Sequence, residues 1–305
     1  MMTMMTVPTM WSALLGARPG PRADTYGRPE NAAVRPAISP RMPSTMPRAE
    51  NHPDPAQRDV MAIASLESTR LLPDGTPLHN RLLAALPTVD YARIQKHLHM
   101  NTGVTGRTLQ EHGTPVTDVY FPNGGVFSVT NEMRDGALVE VATVGIEGML
   151  GIGVFLGDRS GAGRIFQQVP DGPFPSMTVR RFVKESATAG PFHDVLALYA
   201  QANLLQIMQG TACNALHGVK QRCCRWLLQT QDRVGSREFL LKQEFLAIML
   251  GVQRPTVTLV MGSLQDGGLI RTRYGRIRVL KRKKLEQAAC ECYEVIRAHF
   301  QRLGL

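Results

Sequence analysis

Arg254 lies in a short stretch, Gln253-Arg254-Pro255-Thr256-Val257-Thr258, whose polar side chains can bond planar or anionic partners. A guanidinium carries its donors in a rigid fork, so it matches paired acceptors: a carboxylate, a phosphate, or O6 and N7 of guanine. Gln253, Thr256 and Thr258 add an amide and hydroxyls suited to neighbouring base edges. Lys242 precedes this stretch, and Arg271, Arg273, Arg276 and Arg278 follow it, with Lys281-Arg282-Lys283-Lys284 behind them. From Gly218 to Lys284 there are fifteen Lys/Arg against four Asp/Glu, whereas the whole chain of 305 residues carries a net charge of +10. The excess is therefore local and the remainder close to neutral. Solubility does not require a cluster of one sign, whereas a polyanion such as a nucleic-acid backbone does.

These side chains need a scaffold, and the apolar pattern supplies one. Gln243–Leu250 reads as a short helix with Leu246 and Leu250 inward, and a second helix starts near Arg254, where Pro255 costs no hydrogen bond. Val257, Val260 and Leu264 mark its buried stripe. Gly251 falls where a tight turn needs positive φ, Val252 plugs that turn, and Ala247 leaves room for the helices to cross. This spacing predicts a helix-turn-helix. A hairpin turning at Tyr274-Gly275 would carry the arginines beside the second helix as a wing. Arg254, Gln253, Thr256 and Thr258 are then the expected base readers. Lys242, Arg271, Arg273, Arg276 and Arg278 are the expected phosphate contacts.

The rest of the chain divides into further parts. Residues 1–75 are rich in Pro, Arg, Met and Ala without a sustained period and read as a disordered extension. No secretory signal or membrane span is expected. Two short helices flank Pro87. Strands are expected at Val116–Phe121, Val126–Thr130, Leu138–Val144 and Arg164–Val169, separated by Gly-rich turns, within a strand domain of residues 76–190. A long helix follows at 191–217, with Val195, Leu198, Tyr199, Ala202, Leu205, Met208, Ala212, Ala215 and Leu216 at three- and four-residue steps. That stripe is covered either by a second copy, as a coiled-coil-like seam, or by the strand domain. Residues 218–305 form the helix-turn-helix domain, and the fold class is α+β.

Other chemistry finds little support. The five cysteines lack paired-ligand spacing and read as buried thiols of a reducing compartment. His97, His99 and His112 lack carboxylate support for a metal and read as surface residues. Gly151-x-Gly153-x-x-x-Gly157 has no βαβ context for a dinucleotide. No nucleophile elbow, metalloprotease helix motif or phosphate loop with Lys is present.

The order of strand roll, long helix and winged helix resembles the cyclic-AMP receptor protein and fumarate–nitrate regulator (Crp/Fnr) family of bacterial transcription factors. The likeness spans roughly residues 77–300. It is most specific at Ala247, Gly251-Val252-x-Arg254, Thr256-Val257 and Leu269-Ile270, with support from Asp118–Gly125 and Val144–Gly148. The resemblance implies a cyclic-nucleotide-binding-like β-roll, a dimerisation helix and a homodimer in the bacterial cytoplasm. It also implies binding to palindromic double-stranded DNA and contact with RNA polymerase, without enzymatic activity. The nucleotide-binding members carry a Gly-Glu pair and a later Arg-Ser/Thr-Ala. Here Gly145 and Glu147 are separated by Ile146, and the nearest later residues are Arg159, Ser160 and Arg164. These five are the candidate effector pocket, and the departure argues against cyclic nucleotide as ligand. No cysteine precedes Cys213, so the N-terminal iron–sulfur ligation of the family's oxygen sensors is excluded, and no cofactor is expected. Two alternatives remain: constitutive DNA binding with the strand domain as a protein-interaction module, or a nucleic-acid-modifying enzyme whose catalytic residues are not visible.

Overall fold

A computed structural model describes residues 70–161 and 163–305. Most of the expected N-terminal extension lies outside these residues. Residues 70–75 do not: Leu71 bridges Pro77, and Leu72 is buried.

Two short helices, α1 (Arg81–Ala84) and α2 (Thr88–Gln95), lead into a β-roll. Asn80 caps α1 by accepting the Leu83 N–H, and its amide donates to the carbonyls of Pro122 and Gly148. The roll comprises β1 (His99–Asn101), β2 (Thr108–Gln110), β3 (Asp118–Tyr120), β4 (Val126–Glu132), β5 (Leu138–Val144), β6 (Arg164–Val169) and β7 (Phe174–Thr178). Its two antiparallel sheets have the orders β1-β7-β3 and β2-β6-β4-β5. Phe127, Val144, Leu150 and Phe174 bury their side chains between them, with Phe127 edge-on to Phe174.

A short helix α3 (Val179–Ser186) precedes the stalk, α4 (Pro191–Leu216). Pro191 sits in the first turn of α4, where its missing N–H is not needed. Val195, Leu196, Tyr199 and Ala202 are buried in one core with α1, α2, β3 and α3. The apolar stripe of the stalk, one of whose two expected covers was a second copy, is thus packed against its own chain along this half. The reason is contact: Tyr199 lies under the roll and its hydroxyl donates to the Met149 carbonyl at 2.9 Å.

The remainder is α5 (Val219–Val234), β8 (Glu238–Leu240), α6 (Gln243–Leu250), α7 (Arg254–Asp266), β9 (Ile270–Arg273), β10 (Arg276–Val279), α8 (Arg282–Ala288) and α9 (Cys292–Arg302). Its core joins Trp226, Leu227, Leu246, Leu250, Val257, Leu264, Ile277 and Leu285. Helix α9 was expected to belong wholly to this unit. Its Ile296 and Phe300, with Leu303 and Leu305 beyond it, instead complete the core of the roll and stalk. No single helix among the described residues is long and apolar enough to cross a membrane.

Candidate nucleic-acid interface

Helices α6 and α7 meet at 104°, within the range of a helix-turn-helix. Gly251 makes the corner with φ +60, where any side chain would be strained. The Val252 N–H then reaches the Ala247 carbonyl at 3.1 Å, closing the last turn of α6. Leu246, Leu250, Val257 and Leu264 are buried as expected, and Met261 joins them.

The outward side carries the expected readers. Gln253 is the cap residue of α7 and Arg254 its first residue; both are exposed. The partial positive charge of a helix N-terminus adds to the Arg254 guanidinium there. Thr256 is half-buried. Thr258 is exposed, with its hydroxyl donating to the Gln243 side chain or the Arg254 carbonyl, each at 3.2 Å.

The wing is a tight hairpin, with Tyr274 at φ 49 and Gly275 at φ 74. Gln265 of α7 accepts from both the Thr272 N–H (3.0 Å) and its hydroxyl (2.6 Å), which fixes the wing against that helix. Across the hairpin, Arg273 faces Arg276 and Arg271 faces Arg278. Like charges placed opposite one another destabilise a strand pair. Part of that repulsion is relieved by β8, a strand not foreseen from sequence. Its Glu238 lies 3.9 Å from Arg276 and 3.6 Å from Arg278. Arg271 and Arg273 have no salt bridge among the described residues, and Arg273 stacks 5.1 Å over the Tyr274 ring. Lys242 caps α6, 3.6 Å from Glu244.

The candidate effector residues do not converge. Glu147 is buried and salt-bridged to Arg233 of α5, with Oε1 accepting from Arg233 Nε at 2.9 Å and from the Gly145 N–H at 3.0 Å. Arg233 also donates to the Thr143 hydroxyl (2.6 Å) and carbonyl (3.0 Å) and to Gln206 (3.2 Å). A Cβ on Gly145 would come within 2.5 Å of Arg233 Cγ, so this glycine is where the arginine passes. Gly145 and Glu147 therefore tie roll, stalk and helix-turn-helix unit together. Sequence reasoning missed Arg233 as their partner. Arg159 is exposed, and Arg164 bonds Thr108 at 3.0 Å.

Ser160 alone of the five lines the cavity inside the roll, of about 250 Å³. Tyr120, Val129, Val144, Leu150 and Ile165 give it apolar walls, and the stalk contributes Tyr199, Asn203 and Ile207. Its charged residues are Asp118 and Asp158; among the described residues no Lys or Arg lines it. Burial, and then the nearby Glu147 charge, push the Tyr199 hydroxyl well above its usual range, so it stays a neutral donor.

Residues 221–288 match the family model of the Crp-like helix-turn-helix domain. No curated protein matches the chain by sequence. Among solved structures, the chain is similar to a CRP-family transcriptional regulator of Thermus thermophilus, at 18% identity and a TM-score of 0.53, covering 63% of this chain and 96% of that one. The c-di-GMP responsive global regulator CLP of Xanthomonas campestris aligns at 17% identity and TM-score 0.53, over 63% and 99% of the two chains. FixK2 of Bradyrhizobium japonicum gives 12% identity, TM-score 0.53, and 63% and 98% coverage. The chain thus has the fold of the Crp/Fnr-family transcriptional regulators and carries a Crp-like helix-turn-helix domain in its C-terminal part.

Proposed function

We propose that the chain is a sequence-specific transcriptional regulator that binds a palindromic DNA duplex as a homodimer in the bacterial cytoplasm. The carrying observation is the wing: two directly opposed arginine pairs held beside the exposed N-terminus of α7. An arrangement that costs stability in the free protein is repaid when phosphates lie against it. Contact with RNA polymerase, and the lack of an enzymatic role, follow from the family likeness. The apolar cavity favours control by a small ligand over constitutive binding. Cyclic AMP is a poor match to it, because a buried cyclic phosphate needs a cation and, among the described residues, the charged groups lining the cavity are carboxylates.

The dimer is supported by the uncovered face of the stalk. Ala197, Gln201, Leu204, Met208, Thr211 and Ala215 are all exposed and follow each other by alternating steps of four and three. That is a heptad seam, and Leu204 and Met208 are each 58% exposed along it. Selection of bound sequences from a random duplex library should return an inverted repeat with half-sites about one helical turn apart. The repeat should be unaffected by added cyclic AMP. A Leu204→Glu/Met208→Glu chain should run as a monomer in sedimentation and lose the repeat. Recovery of no consensus, or of a single half-site by the unmutated chain, would reject the proposal.

The wing assignment has its own test. Arg273→Ala should weaken specific and random duplexes alike and reduce the slope of log K against log salt by about 1, as one phosphate contact is lost. An unchanged slope would remove Arg273 from the interface.

A further inference from the structure

All five cysteines are buried, as expected, but they do not share one environment. Cys223 and Cys224 lie among Trp226, Leu227 and Leu246 in an apolar core, as packing thiols do. Cys213, Cys290 and Cys292 are equally buried but form a cluster of their own, closed by His217. The four ligand atoms all lie within 4.8 Å of one another. Cys213 Sγ is 3.5 Å from Cys290 Sγ, and Cys292 Sγ is 3.5 Å from His217 Nδ1.

Separations of this size suit the edges of a small coordination tetrahedron. With metal–sulfur bonds near 2.3 Å and metal–nitrogen bonds near 2.0 Å, a tetrahedral ion sets sulfur–sulfur edges of about 3.8 Å and sulfur–nitrogen edges of about 3.5 Å. The surroundings fit a ligand set as well. Gln209 donates to Cys292 Sγ at 3.0 Å. His217 Nε2 lies 3.2 Å from Glu291 Oε1. A carboxylate on Nε2 holds that proton in place and leaves Nδ1 with its lone pair facing the thiols. Arg225 adds positive charge near Cys213, which suits a site of three thiolates.

The backbone explains why the four meet. Cys213 lies in the last turn of α4, and His217 is the cap residue just beyond it, its N–H donating to the Cys213 carbonyl at 3.0 Å. Cys290 and Cys292 sit at the junction of α8 and α9, where the chain turns to pack α9 back on the stalk.

We propose that Cys213, His217, Cys290 and Cys292 bind one zinc ion tetrahedrally, pinning the end of the stalk helix to the start of the C-terminal helix. Four protein ligands and a buried position make this a closed, structural site, with no open position for a substrate. Soft sulfur donors with one imidazole select zinc over magnesium or calcium. The site lies where the stalk passes into the DNA-binding unit, so its occupancy sets how firmly that unit is held.

The test uses the full chain, stripped of metal under reductant and titrated with cobalt(II). One equivalent should give the intense visible bands of tetrahedral cobalt and a sulfur-to-cobalt charge-transfer band, and zinc should displace it one for one. Cys292→Ser and His217→Ala should abolish or weaken the signal, while Cys223→Ser/Cys224→Ser keeps it. Zinc-edge X-ray absorption on the unmutated chain gives a readout free of folding effects: three sulfur neighbours and one nitrogen. A weakly absorbing octahedral cobalt spectrum, a signal indifferent to Cys292 and His217, or a multi-iron cluster would each overturn the assignment. A reduced chain that takes up no metal would overturn it too.

Discussion

An Arg233→Ala chain should be less stable than the unmutated one by about 3–5 kcal/mol, because the change strands a buried carboxylate. Arg233 and Glu147 have side-chain exposures of only 7% and 10%, and their closest approach is 2.8 Å. By contrast, Arg297 and Glu294 approach to 2.7 Å but are 40% and 57% exposed. Water screens that second pair, and Arg297→Ala should cost no more than about 1 kcal/mol. Loss of Arg233 also removes donors from Thr143 and Gln206, so β5 and the stalk lose a common partner with α5. Urea unfolding at unchanged slope measures the difference. Amide exchange along β5 and α5 should speed up together if the contact joins the two units. The double variant Glu147→Gln/Arg233→Met should recover much of the loss, since it leaves no charge buried. A single-variant cost under about 1 kcal/mol would mean that the pair is solvated in solution.

The contrast between what the residues reveal in sequence and in space follows contact range. The helix-turn-helix was legible because its determinants are local. Ala247, Gly251 and Val257 lie within one short window, and α6 and the start of α7 fall where the pattern puts them. Strands β5 and β6 also keep the expected bounds, since Leu138–Val144 and Arg164–Val169 are framed by Gly-rich turns. Strand β7 was missed because Pro175 breaks its pattern, yet Pro175 pairs opposite Met100 in the central strand of its sheet. The short β1, β2 and β8 carry too few residues for a period. Glu147 was visible as an acidic residue after a glycine, but its partner lies 86 positions on, and no spacing rule spans that distance. The cysteine cluster hid for the same reason: Cys213-x-x-x-His217 and Cys290-x-Cys292 are weak pairs apart and a four-ligand set only once α9 folds back. The stalk shows a subtler limit. Its sequence reveals one apolar stripe readily, but its own chain covers only the first half of that stripe, and four of the six exposed heptad residues are small or polar.

Arg254→Ala should weaken binding to the selected operator by about 1–3 kcal/mol, roughly 5- to 150-fold, with little change on random duplex. Position is the reason. Arg254 is the first residue of α7, exposed, and without a salt bridge among the described residues, so its donors are not committed within the chain. The two threonines are less free. Thr256 is half-buried, and the Thr258 hydroxyl would first have to leave Gln243 or the Arg254 carbonyl. Most of the discrimination should therefore rest on Arg254, whose fork of donors meets O6 and N7 of a guanine, with the exposed Gln253 beside it. Arg254→Lys separates geometry from charge. Lysine keeps the cation but cannot make two parallel bonds in one plane, so it should lose sequence preference while retaining most of the non-specific affinity. The salt slope should then stay near that of the unmutated chain, in contrast to Arg273→Ala. Equal losses on operator and random duplex, or full rescue by lysine, would make Arg254 a phosphate contact and shift base reading to Gln253 and the threonines.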